Sequence, residues 1–341
     1  MNCPLPTPRY DAITLAHGGG GTLTGSLIDD IFLPAFGSPL PSPHDATPVS
    51  IPSGRAAITT DSYVVQPLFF PGGDIGSLAV NGTVNDLLMA GAKPVALTAG
   101  FILEEGLSLE TLRRVVDAMR QAADIAGVHI MAGDTKVINR AHGDGLYINT
   151  SGVGELMTPE PLVPEGIRSG DAIVLTGDIG RHGIAVMAQR HGLSFDPPVV
   201  SDCASLHAPM LELFAKSPLL HCARDLTRGG LGGALCELAR AAQWDVDIDE
   251  ARIPVAKAVK GACDLLGFDP LFVANEGCAV LLVALEDVET ALGILRRHPT
   301  TAAACLIGHV GDTGGRVSAR TPLGTVRRIM PPSGEQLPRI C

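Results

Sequence analysis

The feature that most restricts this chain is a proline-dense break near its middle. Met157-Thr-Pro-Glu-Pro-Leu-Val-Pro164 sets three prolines in eight residues. Each proline fixes its own φ, removes a backbone donor and pushes the residue before it toward extended backbone. Neither a helix nor a central strand continues through such a segment, so it reads as a linker. The two sides share one grammar of apolar strand, turn and helix. On the first side, Ala56 to Phe70 is rich in β-branched and aromatic residues, as a buried strand is, with Asp61 set inside it. Helical spacing runs from Gly76 to Ala92 and carries Asn81, Asn85 and Asp86, with Gly91 and Pro94 as stop signals. A second helix over Leu109 to Ala126 ends at Gly127 and feeds a strand from His129 into Gly133-Asp-Thr-Lys136, and a further strand covers Gly145 to Gly154. Past the linker come a strand Ala172 to Thr176, the turn Gly177 to Gly183, Gly229 to Gly233 opening a helix near Ala234 to Ala242, a strand Gly277 to Leu285 and a helix Val288 to Arg297. The reading is α/β with two domains, 1–156 and 157–330. Residues 331–341 hold three prolines, a glycine and no periodicity, and form an expected flexible tail.

Length agrees with that division, since 341 residues exceed one ordinary core at about 150 residues per domain. With 46% hydrophobic and 18% charged residues and a mean hydropathy of +0.27, the chain is apolar for its size, which predicts further surface buried between subunits of a homo-oligomer. The longest apolar run, Cys278 to Leu285, is far shorter than the roughly 20 residues of a membrane helix. Met1 to Tyr10 lacks the apolar region of a secretory signal, so the expected compartment is the cytoplasm. The eight cysteines form no C-x-x-C pair, against a zinc cage or disulfide framework. A net charge of −11 disfavours nucleic acid and anionic lipid, and an anionic nucleotide bound here needs a metal ion between it and the protein.

Four aspartates interrupt apolar elements or their ends: Asp61, Asp86, Asp134 and Asp225. Singly, each fits a helix cap or a structural ion pair. Jointly, they fit carboxylates that hold Mg²⁺ against a triphosphate. The run His17-Gly-Gly-Gly-Gly-Thr22 fits a flexible connector and a phosphate-lining loop equally, without the lysine of a P-loop, and no G-x-G-x-x-G joins a strand to a helix. Lys136 reads as a solvated surface charge, Glu276 as a turn residue and His182 as a loop histidine bonded to backbone.

Thr59-Thr-Asp-Ser-Tyr-Val64, Ala79-Val-Asn-Gly-Thr-Val-Asn-Asp-Leu87, Ala132-Gly-Asp-Thr-Lys-Val137, Ala223-Arg-Asp-Leu-Thr-Arg-Gly-Gly230 and the final Pro338-Arg-Ile-Cys341 resemble the HypE family of hydrogenase maturation factors. That family belongs with the aminoimidazole ribonucleotide synthetases, selenophosphate synthetases and thiamine-phosphate kinases. The resemblance runs from about His17 to the end, and the last tetrapeptide separates HypE from those relatives. It implies an N-terminal domain dimerising through a shared β-barrel, a C-terminal α/β domain, and ATP in the groove between them. It implies Asp61, Asp86 and Asp225 as magnesium and phosphate ligands, with Asn85, Asp134 and Thr135 beside the nucleotide. Asp45, in His44-Asp-Ala46, matches a further metal position only loosely, because histidine and prolines surround it.

The implied activity is ATP-dependent dehydration of an S-carbamoyl group on Cys341 to a thiocyanate, with Glu276 as base and Lys136 beside it. The implied partners are a carbamoyltransferase, HypF, that loads Cys341 and an iron-carrying HypC–HypD complex that receives cyanide. A small-molecule synthetase or kinase of the same fold, with Cys341 incidental, and a carrier that only presents its terminal cysteine are the competing readings.

Overall fold

The computed structural model describes residues 10–18, 22–37, 54–216, 220–330, 337 and 340–341. Asp45 lies outside the described residues.

The first half is built on a four-stranded sheet in the order Ala56–Tyr63, Leu146–Leu156, Ala92–Glu104, His129–Ile138. Its pairs are antiparallel except the last, where Ala92–Glu104 runs parallel to His129–Ile138. Two helices, Ile75–Met89 and Leu109–Ala126, pack on each other and on this sheet. Among the described residues the two outer strands are Ala56–Tyr63 and His129–Ile138, and Ile58 on the first is 80% exposed. The helix Ile75–Met89 starts where Asp74 accepts from the amides of Gly76 and Ser77 while the Ser77 hydroxyl caps the Asp74 amide. Every residue of this helix is buried except Ser77 and Asp86. It is apolar all round because it lies between the halves, touching the strand Leu220–Asp225 and the helix His207–Lys216 of the second half.

The longest strand, Ala92–Glu104, stands where the sequence reading found only stop signals. Pro94 sits at a register shift, between Pro94 and Ala96 opposite Gly154 and Val153. A bulge absorbs a residue that cannot donate to the ladder, so a proline survives inside the sheet. The strand at Ala56 is also shorter than expected and ends at Tyr63, before the small hairpin Phe69–Phe70 and Gly73–Asp74.

The second half carries a seven-stranded sheet in the order Val326–Ile329, Val317–Arg320, Trp244–Asp249, Cys305–Thr313, Ala172–Leu175, Ala279–Val283, Leu220–Asp225. The apolar run expected as a strand is Ala279–Val283, buried at all five positions between two neighbours. The glycine run opens a helix as expected, but the helix starts earlier, spanning Gly230–Ala242 with Gly229 as its N-cap at φ 80°. One apolar cluster runs through both halves, joining Leu78 and Leu88 to Val174, Leu281 and Ile340. No helix among the described residues is long and apolar enough to cross a membrane.

Candidate active site

Four of the expected acids gather where the halves meet. Asp86 projects from the buried helix, and the Thr59 hydroxyl donates to its Oδ2 at 2.9 Å. Asp61 stands on the same strand as Thr59, and Asp225 closes the strand Leu220–Asp225 opposite Ala279. Their charges act on one another. Burial pushes Asp86 up to about 6, with the charge of Asp61 adding and the Thr59 bond and Arg224 opposing. Asp225 is pushed up to about 7, by burial first and then by Asp86. Glu276 is held well above the ordinary carboxylate value, by burial first and then by Asp225, Asp202, Asp61 and Asp86.

The loop carrying Glu276 is fixed from both sides. Buried Asn275 accepts from the Gly180 amide at 2.6 Å and donates to the carbonyls of Leu226 and Val273 at 3.0 Å. Asp202 Oδ2 accepts from the amides of Glu276 and Gly277 at 3.1 and 3.0 Å. Gly277 is required by this contact, since a β-carbon there would lie 1.9 Å from the Asp202 carbonyl oxygen. Glu276 is 4% exposed, and its Oε1 has no hydrogen-bond partner. A buried acid so placed is ready to hold a proton that a substrate gives up.

The other expected residues lie elsewhere. Asn85 uses both ends of its amide on the second half, donating to Ala204 O at 3.0 Å and accepting from Leu206 N at 2.9 Å, and so pins the halves together. Asp134, Thr135 and Lys136 are on the outer strand His129–Ile138. Lys136 Nζ lies 2.5 Å from Asp134 Oδ2, with side chains 65% and 69% exposed, and this contact holds Asp134 below the usual carboxylate range. Within one chain, Lys136 therefore pairs with Asp134 and not with Glu276. The turn Leu15–Gly18, which opens the glycine run, packs on the same outer strand.

Of the segment 331–341, expected as a flexible tail, three residues are described. Leu337, Ile340 and Cys341 are docked: Ile340 is 3% exposed in the apolar cluster shared by the halves, and Val64 N donates to Cys341 O at 3.1 Å. His182 is a helical residue in the first turn of Arg181–His191, fully buried, and its backbone partner is Ile340 O at 2.9 Å. Sequence reasoning missed the segment Ser201-Asp-Cys203. Burial pushes Asp202 up to about 6, and Cys203 Sγ lies 3.6 Å from Asn81 Nδ2. No periodicity marks these residues, and the contact of Asn85 with Ala204 and Leu206 brings them in.

Magnesium fits the chemistry of this groove. Carboxylate oxygens are its ligands, and the mutual repulsion that raises Asp86 and Asp225 is what a cation relieves. No group of three His, Cys, Asp or Glu among the described residues is gathered tightly enough to hold a metal alone. Phosphate and water oxygens would have to complete the shell of an ion held there.

A two-domain body with acids in the groove between its halves places the chain among the AIR synthase related proteins. The N-terminal domain of that family matches residues 43–156, and its C-terminal domain matches residues 168–319. The carbamoyl dehydratase HypE of Azotobacter vinelandii is 45% identical over 335 residues, covering 98% of each chain. A crystal structure of the hydrogenase maturation protein HypE in complex with ATP is 44% identical with a TM-score of 0.93, covering 96% of this chain and 99% of that one. A crystal structure of a HypE–HypF complex matches at 41% identity and a TM-score of 0.80, covering 90% of this chain and 100% of that one. The chain belongs to the HypE family of carbamoyl dehydratases.

Proposed function

We propose that this chain dehydrates an S-carbamoyl group on its own Cys341 to a thiocyanate at the expense of ATP, and so supplies cyanide for the iron centre of nickel–iron hydrogenases. The single observation that supports the proposal is the docking of Ile340 and Cys341 on both halves, at His182 and Val64, in a protein whose buried acid Glu276 has an unpartnered Oε1. A small-molecule kinase has no use for such a tail, and a passive carrier has no use for such a base.

ATP supplies the phosphoryl group that turns the carbamoyl oxygen into a leaving group, and Asp61, Asp86 and Asp225 would hold a Mg²⁺ ion that would neutralise phosphate charge. Asp45 is a further candidate ligand, and Asn85, Asp134 and Thr135 are candidates for the nucleotide surround. Removal of one N–H proton gives a C=N bond bearing the phosphorylated oxygen. Removal of the second, as phosphate leaves with the C–O bonding pair, gives S–C≡N. Glu276 is the base for that second proton, because its low-dielectric surroundings favour the neutral acid it becomes.

Lys136 enters through a second subunit. Closing two four-stranded sheets into a shared barrel would cover the exposed outer strands of a homodimer and carry the Asp134–Lys136 edge of one copy toward the groove of the other. HypF is the proposed source of the carbamoyl group, the HypC–HypD complex the acceptor of cyanide, and the cytoplasm the compartment. We place the domain boundaries at 1–156, 157–330 and 331–341, which keeps each sheet whole.

The test is the intact mass of the tail peptide after incubation with HypF, a carbamoyl donor and Mg-ATP. Wild type should pass through a gain of about 43 Da, the carbamoyl group, to about 25 Da, the thiocyanate. Glu276→Gln keeps shape but loses proton affinity, so it should stop short of the thiocyanate, at the carbamoyl mass or at its phosphorylated form about 80 Da heavier. If it reaches the thiocyanate mass at the wild-type rate, Glu276 is not the base.

A further inference from the structure

His182 does more than fill a buried site. Its Nε2 lies 2.9 Å from the Ile340 carbonyl oxygen, and its Nδ1 lies 2.9 Å from Ser201 Oγ. A carbonyl only accepts, so Nε2 carries a proton and donates it. Burial pushes the imidazole down to about 4, so the ring is neutral and Nδ1 is its acceptor. The Ser201 hydroxyl therefore donates to Nδ1, and its oxygen accepts from the Cys203 amide at 3.0 Å. Donors run in one direction from Cys203 N–H through Ser201 and His182 to the tail. The ring is held edge-on by Phe70, with centroids 5.3 Å apart and planes at 87°.

We propose that His182, supported by Ser201, is the positioning residue that sets the register of Cys341 in the groove. This rests on the reading that Cys341 carries the carbamoyl group. Ile340 C=O belongs to the peptide unit whose nitrogen is that of Cys341, and the O atom of Cys341 itself is held by the Val64 amide. With both flanking backbone groups held, one from each half of the protein, the backbone position from which the thiol projects is set. The grip is on backbone, so it sets position without reading the Ile340 side chain. Gly183 leaves room for the tail behind it, since a β-carbon there would lie 3.0 Å from Leu337 Cδ1. The same short segment supports the base: Ser201 orients His182 while the adjacent Asp202 holds the amides of Glu276 and Gly277. Thiol and base are thereby referred to one support.

The experiment compares His182→Asn, whose amide is too short to reach Ile340 O, with His182→Gln, which places an N–H near the position of Nε2. Two readouts are taken on full-length protein with native melting behaviour. One is the rate of N-ethylmaleimide alkylation at Cys341, followed on the tail peptide; the other is single-turnover conversion of carbamoyl to thiocyanate with the KM for ATP. His182→Asn should expose the thiol about tenfold and slow conversion about tenfold or more at unchanged KM for ATP, and His182→Gln should restore most of both. Should His182→Asn fail to fold, Ser201→Ala keeps the ring and removes its support, and should move both readouts the same way by a smaller factor. Wild-type alkylation and conversion in folded His182→Asn or, in its place, in Ser201→Ala overturn the proposal. So does a His182→Gln variant no better than His182→Asn. Protection of the thiol is read without any turnover. If wild type forms no thiocyanate but the alkylation differences hold, the reaction assignment fails and the latch stands.

Discussion

The carboxylate groove and the outer strand His129–Ile138 both carry acids, and they obey opposite physics. In the groove, Asp86, Asp225 and Glu276 are taken from water next to like charge, and all three are pushed toward the protonated form. On the outer strand, Asp134 sits in solvent beside Lys136 and is held in the charged form. Such a cluster costs stability, because an apolar or amide replacement would relieve the repulsion. The repulsion in the groove is what the proposed magnesium and nucleotide would relieve, whereas the strand carries an exposed ion pair.

The largest effect expected from breaking that contrast is at Asp86. Asp86→Asn retains an acceptor for the Thr59 hydroxyl but removes a charge that raises Asp225 and Glu276. The ligand-free variant should melt a few degrees higher than wild type by calorimetry, while Mg-ATP should lose its protective effect and conversion should fall below detection. Protection of the variant by Mg-ATP equal to that of wild type would remove Asp86 from the site.

Next in size is a mixing experiment that tests whether the two regions meet across a dimer. Lys136→Ala and Glu276→Gln should each be inactive alone. After subunit exchange, half the dimers are mixed and each mixed dimer has one intact site, so about a quarter of wild-type activity should return. No recovery after verified exchange would mean that Lys136 does not serve a neighbouring groove.

A smaller effect concerns acidity. Asp86 and Asp225 have folded values of about 6 and about 7 against an ordinary 3.8. A folded value above the unfolded one favours the native state most at low pH, where both states are protonated without penalty, and that advantage is lost as pH rises through the folded value. Their contribution should thus lower the melting temperature of ligand-free protein between about pH 4 and pH 7, and Asp86→Asn should flatten this slope. A wild-type slope that Asp86→Asn leaves unchanged would show that the groove acids do not control it.

Much of this was legible in the sequence because it depends on local signals. Proline spacing marks the break at 157–164, helical spacing gives Ile75–Met89 to within a few residues, and acids in apolar frames mark Asp61, Asp86 and Asp225. The strand Ala92–Glu104 was hidden because a bulge accommodates Pro94, and a bulge is a property of two strands. His182 was visible as a histidine in a glycine-rich turn, yet its partners Ser201 and Ile340 come from segments 19 and 158 residues away. Asp202 was illegible for the same reason, since the amides it holds belong to Glu276 and Gly277. Tertiary packing writes such contacts, and no period in the chain encodes them.

The smallest expected effect lies on the outer strand and isolates its side of the contrast. Lys136 and Asp134 are about two-thirds exposed, so their attraction is weakened by water and salt and offset by the cost of ordering a long side chain. Lys136→Ala should therefore change the stability of a single chain by no more than about 0.5 kcal/mol, despite the close contact. Denaturant unfolding of a dilute monomeric sample measures this directly, and repeating it with sodium chloride raised to about 1 M should remove what difference there is. The same substitution measured in an associated sample asks another question. If a second copy covers this strand, Lys136 is desolvated there, and its removal should shift the concentration dependence of melting where the monomer's stability barely moves. A loss of several kcal/mol in the monomer would mean that Lys136 already has a buried role within one chain, and the contrast between groove and strand would not hold.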